Sequence, residues 1–264
     1  MNLRKGKLQT QCTIVDGLSI FARVSAEMLP QNAPIIILIH GLILSSRYMI
    51  PTAELLAANY RVYALDLPGY GESEKPEKIL DLPELADVIA RWMDATGIKK
   101  ATFLGNSMGC QIIAELAMRH PQRIERAILQ GPTVDPRGRS LFQQIWRFLL
   151  NAPGEDYSQA PIQIQDYWLA GLPRCIATIQ IALYDRVEAK LPYLRVPTLV
   201  VRGDKDPVVP QQWAQEVVDL LPQGQLKVIA GGAHTLNYSK PLELTQAVEA
   251  FIKATESDLI TTEV

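Results

Sequence analysis

Gly105-Asn106-Ser107-Met108-Gly109 is the stretch whose reading decides the fold. It follows the apolar run Ala101-Thr102-Phe103-Leu104 and precedes a helix-like pattern from Cys110 to Ala117. The order predicted is strand, sharp turn, helix, with a serine at the apex. In that setting G-x-S-x-G is a nucleophile elbow, whose two glycines remove side chains where backbone segments crowd. The serine is then held in a strained conformation, hydroxyl exposed, with the N-terminus of the next helix behind it. Nucleophilic attack by Ser107 is the reaction this implies. A short glycine-bounded serine also occurs as a plain tight connection, so the reading needs partner groups elsewhere in the chain.

Outward from the elbow, short β-branched runs alternate with helical patterns. Cys12 to Val15 and Leu18 to Val24, joined at Asp16-Gly17, predict a hairpin, because Asp-Gly is a strong two-residue turn signal. Ile35 to Ile39 reads as a strand buried on both faces, followed by a helix around Tyr48 to Ala58 and a strand from Arg61 to Leu65. A helix from Leu82 to Thr96 should stop at Gly97. Helix Met108 to His120 and strand Arg126 to Gln130 complete the first half. From Val134 to Tyr193 no buried strand is evident, and aromatic residues are scattered through polar helical segments. The alternation resumes with strand Thr198 to Arg202, a helix near Gln211 to Leu221, strand Gln225 to Ile229, and a helix from Pro241 to about Thr255.

This order predicts an α/β fold: a mainly parallel, doubly wound sheet with an N-terminal antiparallel hairpin and a helical cap insertion. Residues 1–133 and 194–264 are expected to form the core, and 134–193 the cap. Residues 257–264 are expected to fray.

Composition narrows the function classes. The chain has 264 residues, 48% hydrophobic and 20% charged, enough for one large core. A net charge of −2, without a dense Lys/Arg stripe, gives no reason to expect a nucleic-acid partner. The basic cluster Arg4-Lys5-Gly6-Lys7 reads as a solvated tail. Cys12, Cys110 and Cys175 are too sparse for a disulfide framework and form no metal-type pair. Neither a signal peptide nor a membrane span is expected, and the default location is the cytoplasm. No metal, dinucleotide or other cofactor is expected. A small molecule is the expected partner, and a homodimer is a candidate assembly.

At the carboxyl ends of the predicted strands stand His40-Gly41, Asp66-Leu67-Pro68-Gly69-Tyr70-Gly71-Glu72-Ser73, the elbow, Gly203-Asp204-Lys205-Asp206-Pro207 and Gly232-Ala233-His234. In this order they resemble the α/β-hydrolase fold family over essentially the whole chain. A serine hydroxyl needs a general base, and the chain has three histidines. His120, at a helix end before Pro121, reads as structural. The resemblance implies that His40 shapes the oxyanion loop and that His234, after the last strand, is the base. It implies Asp206 as the acid, in Gly-x-x-Asp spacing after a strand. Asp204, read as a turn former, and Asp135, from which some relatives take the acid, are the competitors. The oxyanion hole should use the backbone N–H groups of Leu42 and Met108. Asp66 to Ser73 should be a compact structural turn.

A serine at position 107 disfavours the dehalogenase and epoxide-hydrolase readings, which need a carboxylate there. The expected function is that of a serine hydrolase cleaving a small, largely apolar carboxylic ester through an acyl-enzyme. An alternative is carbon–carbon bond hydrolysis of the meta-cleavage type, whose members often carry Gly-Asn-Ser-Met-Gly. Two features stand against it: Thr235 follows the histidine where those enzymes usually have tryptophan, and their substrate-holding cap arginine has only Arg174 as a counterpart. A non-catalytic or very slow ligand-binding protein is the third reading. Candidate pocket residues are His40, Gly41, Asn106, Trp146, Trp168 and Arg174.

Overall fold

Strand β3 (Ile35–Ile39) lies inside the sheet and shows how the core is built. Its side chains alternate between faces, so Ile37 and Ile39 enter one apolar cluster while Ile36 and Leu38 enter the other. The computed structural model describes residues 5–26, 29–30 and 32–262, with side chains described as far as residue 256.

The eight strands β1 (Leu8–Val15), β2 (Leu18–Ser25), β3, β4 (Arg61–Leu65), β5 (Ala101–Asn106), β6 (Ile124–Gln130), β7 (Thr198–Gly203) and β8 (Gly224–Ile229) form one sheet, ordered β1-β2-β4-β3-β5-β6-β7-β8. β1 pairs antiparallel with β2, and β2 with β4; the other pairings are parallel. The expected hairpin forms at Asp16 and Gly17, whose φ values of 50° and 82° suit a two-residue turn with both central residues at positive φ. β1 starts at Leu8, four residues before its expected start, because Leu8-Gln9-Thr10-Gln11 is an edge segment with too few apolar residues to signal a strand.

Helices cover both faces. One cluster joins α2 (Leu82–Ala95), α3 (Met108–Arg119) and α8 (Gln211–Leu220) through Trp92, Ile112 and Trp213. On the other face α1 (Ile50–Leu56) and α9 (Pro241–Thr262) contribute Leu56, Val248 and Phe251. α2 starts in a capping box: Asp81 Oδ1 accepts the Glu84 N–H at 2.9 Å and Glu84 Oε2 accepts the Asp81 N–H at 3.0 Å. Such a cap contributes about 1 kcal/mol.

The helix expected over Tyr48 to Ala58 is shorter, because Ser46–Met49 forms a 3₁₀ turn and Pro51 sits in the first turn of α1. The last helix continues to Thr262, past the fraying expected from residue 257; residues 263 and 264 lie outside the described residues. So does Arg4 of the basic cluster, while Lys5 pairs with Glu54 at 2.9 Å.

Between β6 and β7 the chain forms α4 (Leu141–Asn151), α5 (Ala160–Ala170), α6 (Leu172–Tyr184) and the short α7 (Val187–Lys190). Among the described residues no helix is long and apolar enough to cross a membrane.

Candidate active site

Ser107 sits between β5 and α3 with φ 55° and ψ −117°, a conformation that costs a non-glycine residue about 1–3 kcal/mol. Its surroundings impose it. The Ser107 N–H donates to the Gln130 carbonyl at 3.0 Å. A Cβ on Gly105 would lie 2.6 Å from the Gly109 carbonyl carbon, and one on Gly109 would lie 2.4 Å from the Ile39 oxygen. The motif's glycines are therefore required by close backbone approach, as the sequence implies. Ser107 Oγ is 3.4 Å from Thr133 Oγ1.

Asp206 follows β7 and His234 follows β8, and their loops bring Asp206 Oδ2 within 2.8 Å of His234 Nδ1. The other carboxylate oxygen of Asp206 accepts the N–H groups of Val208 at 2.8 Å and Val209 at 3.1 Å, which fixes its orientation. The competitors are occupied elsewhere. Asp204 accepts the Gly231 N–H at 2.7 Å as a turn former, and Asp135 pairs with Arg147 at 2.9 Å and Arg137 at 3.2 Å. Burial by itself pushes the His234 imidazole pKa down, but the Asp206 carboxylate, with a smaller contribution from Glu155, leaves it above the ordinary histidine value. His234 Nε2 is buried and, among the described residues, has no hydrogen-bond partner. A nitrogen in that state is available to take a proton from a nucleophile once substrate tightens the geometry.

His40 pins the loop after β3. Its Nδ1 lies 2.8 Å from the Gly41 carbonyl and its Nε2 accepts the Leu67 N–H at 3.0 Å, an arrangement that suits the neutral ring. Burial lowers its pKa and favours the same state. His120 instead meets Asp87 at 2.7 Å, away from Ser107. Next in the loop, the Gly41 N–H donates to the Tyr48 hydroxyl at 2.7 Å, and that hydroxyl donates to Asn106 Oδ1 at 2.6 Å. Asn106 thereby ties the elbow to the loop carrying Leu42. Met108 is the first residue of α3, so its N–H has no intrahelical acceptor, and it and Leu42 both line the cavity beside Ser107. The expected turn role of Asp66 is seen in its carboxylate, which accepts the Ser46 N–H at 2.6 Å and the Glu72 N–H at 2.8 Å.

A cavity of about 680 Å³ opens over Ser107 and His234, within the range of small-molecule sites. Gly41 and Asn106 line it. His40, Trp146, Trp168 and Arg174 do not. His40 is buried beneath the loop; Trp146 and Trp168 are 55% and 86% exposed; Arg174 is buried against Tyr70, with Nη2 donating to the Pro76 carbonyl at 3.1 Å. Among the described residues the lining includes the carboxylates Glu155 and Asp156 and no lysine or arginine. Among the described residues no group of three or more His, Cys, Asp or Glu side chains could hold a metal ion.

Sequence reasoning missed the residues of the helical insertion that reach the histidine. Asn151 Oδ1 accepts the His234 N–H at 3.1 Å, Glu155 Oε1 accepts the Thr235 N–H at 2.9 Å, and Gln159 Nε2 donates to Thr235 Oγ1 at 3.0 Å. Phe148 stands edge-on to the imidazole at 5.9 Å. The signal was a polar residue every fourth position, 151, 155 and 159, which the intervening polar Asp156 and Ser158 obscure.

Comparison with known proteins agrees with this architecture. A sequence profile described as the α/β hydrolase fold matches residues 34–174, and one described as TAP-like protein matches residues 160–259. The pimeloyl-[acyl-carrier protein] methyl ester esterase of Aeromonas hydrophila is 27% identical over 256 residues, covering 87% of this chain and 99% of that protein. Carboxylesterase YbfK of Bacillus subtilis is 25% identical, covering 84% and 81%. Among solved structures, a membrane phospholipase A described as a bacterial virulence factor superposes with a TM-score of 0.76 at 26% identity, covering 94% and 87%. The order of strands, the elbow between β5 and α3, and the profile over more than half the sequence lead to one conclusion: the chain belongs to the α/β hydrolase fold family.

Proposed function

We propose that the chain is a serine hydrolase that cleaves a small, largely apolar carboxylic ester through an acyl-enzyme. The observation that carries this reading is the His234 ring, bonded through Nδ1 to Asp206 with Nε2 free, in the cavity that also holds the strained Ser107. Ser107 Oγ attacks the ester carbonyl carbon while His234 Nε2 takes the hydroxyl proton. Asp206 holds the ring in the Nδ1–H tautomer and stabilises the imidazolium that forms. The Leu42 and Met108 N–H groups receive the developing oxyanion. Collapse of the tetrahedral intermediate breaks the ester C–O bond, and the imidazolium protonates the departing alcohol. Water then attacks the acyl carbon, giving its proton to His234, and the carboxylic acid leaves as Ser107 recovers its own.

The esterase names of two relatives are in keeping with an acyl substrate. Residues 134–193 act as a cap over the core in this reading. The carbon–carbon alternative requires a cation for the substrate carboxylate, and among the described residues no lysine or arginine lines the cavity. Labelling with a fluorophosphonate tests the proposal. Wild type should label, whereas Ser107→Ala and His234→Ala should not. Ser107→Ala should lower hydrolysis of p-nitrophenyl esters by about three orders of magnitude or more. Labelling that persists in Ser107→Ala would point to another nucleophile.

A further inference from the structure

The cavity mouth is bordered by side chains that line it and yet remain exposed. Leu141, Ile145 and Phe148 of α4 are 52%, 50% and 39% exposed, and Tyr157 and Tyr167 are 70% and 47% exposed. On α4 these three form one i, i+4, i+7 stripe. One residue further on, Phe142, Trp146 and Leu149 form a second stripe, at 77%, 55% and 61%. Ile164 and Trp168 on α5 and Leu172 on α6 are exposed as well, at 69%, 86% and 71%. Monomeric proteins rarely leave contiguous apolar patches larger than a few hundred Å² without a partner.

Charge is almost absent here. Between Leu141 and Tyr184 the one exposed charged residue is Asp156, and from outside that stretch the exposed Lys75 donates to the Leu169 carbonyl. Arg147 is paired with Asp135, Asp166 is buried on Ser45, and Arg174 is buried. A partner recognised through ion pairs finds little to hold. A protein seated firmly on the rim would also seal the route to Ser107 and His234, which are only 6% and 3% exposed. A fluid apolar phase satisfies the rim and leaves that route open.

We propose that this rim docks on a lipid surface, and that the substrate is an uncharged acyl ester drawn from that surface into the cavity. Exposed tryptophan and tyrosine, with apolar bodies and polar edges, suit such an interface. The neutral face and the chain's net charge of −2 make the attachment apolar and not dependent on anionic lipid. The substrate part rests on the serine-hydrolase reading; the docking part does not.

The full-length Ser107→Ala protein is mixed with phosphatidylcholine vesicles, and tryptophan emission and co-flotation are followed. Trp92 and Trp213 are buried, so a change in emission reports Trp146 and Trp168. A blue shift with flotation, nearly unchanged from about 0.05 to 0.5 M salt, is expected. Combined Phe142→Asp, Ile164→Asp and Leu172→Asp should weaken partitioning at least about tenfold. With Ser107 intact, that variant should keep normal cleavage of a water-soluble short ester, which also shows that it folds. Three results overturn docking: no flotation, flotation only with anionic vesicles and lost in salt, or a doubling of mass in place of flotation. If wild type cleaves the soluble ester but no vesicle-dissolved ester, the substrate part is wrong. If it cleaves neither while Ser107→Ala still floats, docking stands and the hydrolase reading fails.

Discussion

The side-chain oxygen of Asn151, at the end of α4, accepts the backbone N–H of His234 at 3.1 Å. The same Asn151 donates through Nδ2 to Glu155 Oε1 at 2.6 Å, and Glu155 in turn receives the Thr235 N–H at 2.9 Å. The helical segment between β6 and β7 therefore grips the loop that carries the histidine, while Asp206 holds the ring. Position and charge of the imidazole depend on both contacts.

Replacing Glu155 by Gln should move the acid limb of the kcat/KM profile to lower pH. The general base must be neutral, and that limb reports its pKa in the free enzyme. Burial, the largest single influence, lowers the His234 pKa, but Asp206 and Glu155 together raise it further than burial lowers it. Removing the Glu155 charge lets the pKa fall, so the base stays neutral to lower pH. Initial rates on a soluble ester across the acid range check this; an unmoved limb would restrict Glu155 to holding the loop. Glu155→Ala also removes the acceptor of the Thr235 N–H and should lower kcat/KM by about tenfold or more.

Tyr48→Phe tests the brace between the elbow and the oxyanion loop. The phenol hydroxyl accepts from the Gly41 N–H at 2.7 Å and donates to Asn106 Oδ1 at 2.6 Å, and all three residues are shielded from solvent. Deleting the hydroxyl leaves a buried donor and a buried acceptor unpaired, at about 1–3 kcal/mol. Urea unfolding should show that loss. Because the loop carries the Leu42 N–H, kcat should fall more than KM rises.

Arg174→Met separates a structural from a substrate-binding arginine. The guanidinium lies 6.0 Å from the Tyr70 ring centre and donates to the Pro76 carbonyl at 3.1 Å. Stability should drop by about 1–3 kcal/mol, while KM for a neutral ester stays within about twofold. A rise in KM confined to carboxylate-bearing substrates would place Arg174 at the substrate after all.

What was legible in the sequence follows the physics of burial. Ile35–Ile39 and Ala101–Asn106 are nearly or wholly buried parallel strands, so their apolar runs stand out; β1, an edge strand beginning Leu8-Gln9-Thr10-Gln11, was only half visible. Ser107 follows β5 at once, while Asp206 and His234 lie in the loops after β7 and β8, where the family resemblance and not the spacing alone singles them out from Asp204 and Asp135. The insertion is different. α4 reads Leu-Phe-Gln-Gln-Ile-Trp-Arg-Phe-Leu-Leu-Asn, apolar on adjacent stripes, and its periodicity does not say which stripe turns inward. That is why Trp146 reads as a pocket residue and stands outside the pocket, as does Trp168 on α5. Glu155 escaped notice because its partner, the Thr235 backbone, is 80 residues away.

Gly131, at the end of β6, should be intolerant of even one methyl group. Its φ is 59°, which an L side chain adopts only with strain, and a Cβ there would lie 2.9 Å from His234 Cε1 and 3.0 Å from Nδ1. The Gly131 backbone is itself held, its N–H donating to the Val201 carbonyl at 2.8 Å, so the imidazole is the part that must yield. Displacing it lengthens the 2.8 Å contact with Asp206 and misaims Nε2 relative to Ser107. A misplacement on the order of 1 Å costs about a hundredfold in rate. Gly131→Ala should therefore lose about that much kcat/KM, with a stability loss of only about 1–2 kcal/mol, read by thermal unfolding. Near-normal activity in a folded Gly131→Ala protein would mean that the His234–Asp206 contact does not set the rate.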